Sequence, residues 1–91
     1  MEVRASHILV KTSQEAQDIQ KRLSSGEKFE DLAKRFSKCP SGKNGGDLGF
    51  FSKGMMVKEF EDAAFSLSPG QVSPPIKTQF GFHLIKVIEK R

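Results

Sequence analysis

From Val3 to Lys11 the chain is rich in apolar and β-branched residues. A two-residue period places Ala5, His7 and Leu9 on one face of a strand and Ser6, Ile8 and Val10 on the other. Both faces read as buried, the pattern of a central strand. Thr12 with Glu15 three positions on is a capping-box pair, and Ala16, Ile19 and Leu23 then recur at helical spacing until Gly26. Phe29, Leu32, Ala33 and Phe36 follow at i, i+3, i+4 and i+7, which predicts a second short helix with an aromatic stripe inward and a charged face outward.

Lys38 to Gly46 contains one proline and three glycines, so an irregular loop presenting Cys39 is predicted there. Asp47 to Phe51 reads as a brief strand. Phe60, Ala63, Ala64 and Leu67 give a third helix from Val57 to Ser66, closed by the turn signal Ser68-Pro69-Gly70. Val72 to Ile76 and Phe82 to Ile88 are two extended segments, separated by polar Lys77-Thr78-Gln79, and so short a connection makes them antiparallel. The order β-α-α-β-α-β-β, with no repeat or linker, predicts an α+β domain: a sheet of about four strands covered by helices, with a concave face left for a ligand.

With 36% hydrophobic residues and eight Phe, a chain of 91 residues builds one modest core, so a single domain over residues 1–91 is expected. No apolar run is long enough for a membrane span, and Ile8-Leu9-Val10 is too short for a signal-peptide core; a cytoplasmic monomer is expected. Cys39 is the only cysteine, which excludes an internal disulfide and suits a reducing compartment. Between Lys21 and Lys43 lie seven basic residues against three acidic ones, so this window carries the whole net charge of +4.

The residues with reactive potential are few: His7, Cys39, Asp47 and His83. A histidine in an apolar strand is commonly a hydrogen-bonded core residue, yet two of them, in the first and last strands, would meet above a common core and exchange hydrogen bonds. Cys39, near Lys38 and Lys43, is either an activated thiol or an inert loop residue. Leu48, Phe50, Met55, Met56 and Phe60 cluster on short elements next to the loop. They either fill the interior or line a pocket, a use to which Met is well suited.

Five blocks in order resemble the parvulins, the small peptidyl-prolyl isomerases, over almost the whole chain: Ala5 to Lys11, Phe36 to Lys43, Gly45 to Phe51, Gly54 to Phe65 and Thr78 to Lys86. The resemblance implies a β-α-α(-α)-β-α-β-β fold with a four-stranded antiparallel half-barrel. It implies His7 and His83 as paired core histidines, Cys39 beside the substrate bond, and Leu48, Met56 and Phe60 around the proline ring. By the same resemblance Asp47 is the acidic residue next to the pocket, Thr78 is hydrogen-bonded into the histidine network, and Phe80 is the neighbouring wall. Together these residues imply non-covalent rotation about X–Pro bonds in peptides and unfolded proteins, without metal or other cofactor. Many relatives carry Asp where Cys39 stands, so a covalent thiol mechanism is not implied. Phosphate-directed relatives have a long basic loop after the first strand; here Lys11 runs straight into the cap at Thr12, and no requirement for phosphorylated Ser or Thr is expected.

Other readings compete. As residue types, Cys39, His7, His83 and Asp47 also suit a thiol hydrolase or a four-ligand metal site, but no metal-ligand spacing motif is present. A chaperone-like peptide-binding module without turnover would keep the pocket. Lys21, Arg22, Lys28, Lys34, Arg35 and Lys38 lie on or beside the two surface helices and form either a solvated face or a patch for an anionic membrane surface, at the inner face of the membrane. With Phe29 and Phe36 assigned to the opposite helix face, no stacking aromatic accompanies the patch, which makes nucleic acid the weaker partner.

Overall fold

The computed structural model describes residues 1–91. Strands β1 (Val3–Val10), β2 (Asp47–Phe51), β3 (Ile76–Thr78) and β4 (Gly81–Lys90) pair antiparallel in the order β2-β1-β4-β3, so the two long strands are central. Because β1 is covered on both faces, its alternation divides the core in two. Ile8 and Val10 pack with Leu84 under helices α1 (Ser13–Ser24) and α2 (Phe29–Phe36), while Val3 and Ala5 pack with Ile85, Val87 and Phe51 under helix α3 (Lys58–Ser66). The α+β class, the four strands and their antiparallel pairing are as expected from the sequence. No helix is long and apolar enough to cross a membrane.

Local chemistry accounts for the boundaries. Thr12 Oγ1 accepts from Glu15 N at 3.1 Å while Glu15 Oε1 accepts from Thr12 N at 3.1 Å, so α1 starts three residues after β1 ends. The segment expected to be irregular contains a 3-10 helix, Pro40–Asn44, at the place where the resemblance allows an extra helix. Pro40 at its start has no N–H to leave unpaired.

One strand assignment needs correction, and one strand carries an irregularity that its pattern does not show. Val72 to Ile76 is not a strand: Pro74 and Pro75 have no N–H to donate to a ladder, and only an isolated bridge, Val72 to Lys86, precedes β3. The hairpin is therefore tighter than expected, with Thr78 opposite Gly81 and only Gln79 and Phe80 at the turn. In β2 one extra residue is accommodated between the pairs Arg4–Phe50 and Ser6–Asp47. That bulge lets Leu48 and Phe51, three positions apart, join the same core cluster, and it turns Asp47 the other way.

Gly46 locks the loop onto β1. It adopts φ +83, its carbonyl accepts from His7 N at 2.9 Å, and a Cβ there would stand 2.3 Å from the His7 carbonyl oxygen. Gly54 has a similar φ of +93 with nothing within 4 Å. Gly54→Ala is expected to cost about 1 kcal/mol from backbone strain alone, and Gly46→Ala about 3 kcal/mol or more, because strain and collision add. Urea denaturation of the two variants checks this; equal costs would contradict it.

Candidate active site

The face under α3 opens beside that helix into a pocket of about 440 Å³. Its floor is His7 and Leu9 from β1 and His83 from β4. Leu48 and Phe60 form the walls, Met55, Met56 and Val57 one rim, and Lys38, Cys39 and Pro40 the other, with Phe80 at the hairpin tip. Since Leu9 is the register partner of His83 and His7 that of Ile85, the two histidines are diagonal neighbours on one face. Their rings stack with centroids 5.2 Å apart, and the Phe60 ring meets both edge-on at 5.5 Å.

The hydrogen bonds form one directed chain. Phe80 N donates to Thr78 Oγ1 at 3.2 Å, and the Thr78 hydroxyl proton is then free to go to His83 Nε2, 2.8 Å away. That bond assigns the proton of His83 to Nδ1, which faces His7 Nδ1 at 3.0 Å. His7 accepts there and carries its proton on Nε2, donating to Ser41 Oγ at 3.2 Å; the Ser41 hydroxyl donates to Cys39 Sγ at 3.3 Å. No buried side-chain nitrogen or oxygen is left unpaired. Burial pushes His7 down to about 4, helped by the neighbouring His83, and burial also lowers His83. Both rings are therefore neutral at pH 7, as a chain that uses one nitrogen of each as acceptor requires.

The structure thus brings together His7, His83, Thr78, Cys39, Leu48, Met56, Phe60 and Phe80. Asp47, expected next to the pocket, is the chain neighbour of the wall residue Leu48 but does not itself line the pocket. The bulge turns this carboxylate to the far side of β2, where it pairs with Arg4 and accepts from Gly49 N at 2.8 Å. The Arg4 hydrogen bond holds Asp47 below the usual carboxylate range. A four-ligand metal set of His7, His83, Cys39 and Asp47 consequently does not converge. Nor do Cys39 and a histidine touch as a thiol hydrolase requires, because Ser41 stands between them. Ser41 itself went unnoticed in the sequence, though it is the one hydroxyl between Cys39 and the first glycine of its loop. Val57 and Leu9 were likewise not assigned to the pocket, whereas Phe50, grouped with Leu48, Met55, Met56 and Phe60, lies outside it with Arg91 over its ring.

The six basic residues differ in their surroundings. Arg22 and Arg35 each reach Glu27 at 3.6 Å and lie over the Phe36 ring at 5.1 and 4.9 Å, so Phe36 is not on the opposite side from them as expected. Guanidinium groups on long stems reach around a short helix to an aromatic face. Lys34 and Lys38 border a separate cleft, and Lys21 and Lys28 are exposed.

A neutral histidine pair makes stability depend on pH. The folded value for His7 lies below its unfolded value, so between the two the unfolded chain binds more protons and acid destabilises. The contribution is complete above the unfolded value of 6.5 and fades as pH falls towards about 4. Lowering pH from 7 to 5 is expected to remove about 2 kcal/mol through His7, with His83 adding in the same direction. Urea midpoints at the two pH values test this against a His7→Leu variant, whose profile is expected to be flatter; a wild type equally stable at both would contradict it.

The family described as "Rotamase: PPIC-type PPIASE domain" matches residues 7–89. The foldase protein PrsA of Geobacillus sp. (strain WCH70) is 57% identical over 89 residues, which are 97% of this chain and 32% of that protein. The crystal structure of PrsA from Bacillus anthracis superposes with a TM-score of 0.97 at 47% identity, covering 99% of this chain and 42% of that one. The solution structure of NmPin, the parvulin of Nitrosopumilus maritimus, superposes with a TM-score of 0.87 at 54% identity, covering 97% of this chain and 96% of that one. The chain thus spans about a third of the length of the curated foldase relatives it matches. Matched over nearly all its length and carrying the paired histidines beneath an apolar pocket, the chain belongs to the parvulins, the PpiC-type peptidyl-prolyl cis/trans isomerases.

Proposed function

We propose that this domain, residues 1–91, accelerates rotation about X–Pro bonds in peptides and in unfolded or partly folded proteins by gripping the proline ring and favouring the twisted amide, with no covalent intermediate. The pocket lining carries this reading: Leu48, Met55, Met56, Val57, Phe60 and Phe80 surround a floor of two imidazoles that stay uncharged. Rotation about an amide costs about 18–20 kcal/mol because the planar form is resonance-stabilised and polar. Apolar walls withhold solvation from the planar form and not from the twisted one, whose charge separation is lost. Lowering the barrier by about 5.5 kcal/mol gives about 10⁴-fold acceleration, a demand that pocket complementarity meets without metal or nucleotide.

In this reading Leu48, Met56, Phe60 and Phe80 hold the ring, and Cys39 lies beside the bond that turns. Thr78, His83, His7 and Ser41 are positioning residues that fix where the thiol points. Asp47 acts at one remove: by anchoring the β2 bulge through Arg4 and Gly49 it aims Leu48 into the pocket. Met55 and Phe80 are 65% and 60% exposed, which gives unfolded segments an apolar rim to bind and supports a folding helper. Because β1 leads into the α1 cap with no intervening basic loop, unphosphorylated X–Pro bonds are the substrates. The unpaired Cys39 supports placing the domain in a reducing compartment, the cytoplasm. An anionic membrane surface is the weaker partner, since Glu27 occupies Arg22 and Arg35.

Exchange NMR on unphosphorylated X–Pro tetrapeptides tests the reading. Wild type is expected to accelerate interconversion, Met56→Ala to lose about 10- to 100-fold in kcat/KM, and Cys39→Ser to stay within about tenfold of wild type. Absence of acceleration by folded wild type would leave a peptide-binding module without turnover. Loss of all activity in Cys39→Ser would restore a thiol mechanism.

A further inference from the structure

Next to the proline pocket, between the end of α2 and the 3-10 helix, lies a second cleft of about 370 Å³. Its charged lining is Lys34, Lys38 and Lys43, and no carboxylate borders it. All three lysines are exposed, and none belongs to any of the six ion pairs of the structure. The nearby acids are committed elsewhere or stand apart: Glu27 to Arg22 and Arg35, Glu30 to Lys86, while Asp31, one turn back on α2, pairs with no lysine of the cleft. The proline pocket has no carboxylate in its lining either. Three unpaired cations are thus gathered at one place, where their summed positive potential favours an anionic group.

The position of the cleft identifies the anion. Cleft and pocket share Lys38, Cys39 and Pro40, so the two adjoin along this segment. The Lys38 amide donates to the Leu9 carbonyl at 2.7 Å, which fixes this shared wall against β1. An extended peptide advances about 3.3 Å per residue, so with its proline in the pocket a side chain a few residues away reaches the cleft. We propose that the cleft receives an aspartate or glutamate side chain of the substrate segment, within about three residues of the proline, so that the domain prefers X–Pro bonds in acidic stretches. The inference rests on the isomerase reading of the adjoining pocket and adds a substrate class to it. Lys38 belongs to both cavities; Lys34 and Lys43 belong to the cleft alone.

The test uses peptides of one length containing a single X–Pro bond flanked by Glu, by Gln, by Lys or by phosphoserine. Exchange NMR gives kcat/KM and fluorescence anisotropy gives affinity. Glu-flanked peptides are expected to exceed Lys-flanked ones by about three- to tenfold in both quantities at low salt, a gap that shrinks in about 0.5 M salt. Lys34→Gln with Lys43→Gln is expected to abolish the gap while the Gln-flanked peptide is turned over as by wild type. Lys34→Glu with Lys43→Glu is expected to reverse it. Equal rates and affinities for Glu- and Lys-flanked peptides would overturn the proposal, as would a preference confined to phosphoserine or one that survives the double Gln variant. Tighter binding of Glu-flanked peptides without acceleration of any peptide would uphold the cleft and overturn the isomerase reading.

Discussion

A hydrogen bond between two uncharged imidazoles, at 3.0 Å between His7 and His83, joins residues 76 positions apart and sets the terms for everything around it. Burying a histidine without a partner for each ring nitrogen costs about 1–3 kcal/mol per unmet group. Two buried rings bonded to each other still need a partner at either end. Thr78 supplies one hydroxyl because a two-residue turn folds it back against β4, and Ser41 supplies the other because the 3-10 helix sits on β1 through Gly46. The tight hairpin, the loop glycine and the register of the central strands are thus all conditions of one satisfied chain.

What the sequence makes legible follows from how local each rule is. The alternation of β1, the Thr12–Glu15 box and the i, i+3, i+4, i+7 stripe of α2 depend on residues a few positions apart, and each is found where the pattern places it. The meeting of His7 and His83 was also legible, because two strands with matched faces leave few alternatives. For Asp47 the resemblance gave only a place next to the pocket; that its carboxylate meets Arg4 on the opposite sheet face depends on one extra residue in β2, which no local pattern marks. Phe36 was misread because a helical wheel gives the direction of Cβ and not the reach of Arg22 and Arg35. Ser41 was missed because its importance lies in two partners, His7 and Cys39, one of them 34 positions away.

The two sheet faces divide the work of the fold. Under α1 and α2, Ile8, Val10, Leu32 and Leu84 are fully or almost fully buried and make ordinary core. On the other face the same strands supply Val3, Ala5, Ile85 and Val87 to a core that Leu48, Met56 and Val57 join only in part. There the buried rings of His7 and His83, with Phe60 of α3 against both, and Leu9 beside them form the floor of the pocket. A small domain in this way keeps a concave apolar surface without opening its main core.

Charge is distributed to suit that division. A cation on the pocket floor would stabilise the carbonyl oxygen of the planar amide, where negative charge is greatest, and would raise the barrier to rotation. Burial keeps His7 and His83 neutral, so the floor offers no such cation at pH 7. The free cations stand at the border instead: Lys34, Lys38 and Lys43 are exposed to solvent beside the pocket. At physiological salt their field reaches about 8 Å, far enough to select the segment that approaches. In the proposed reading an apolar floor and a basic border perform separate tasks, one acting on the bond that turns and the other on which chain presents it.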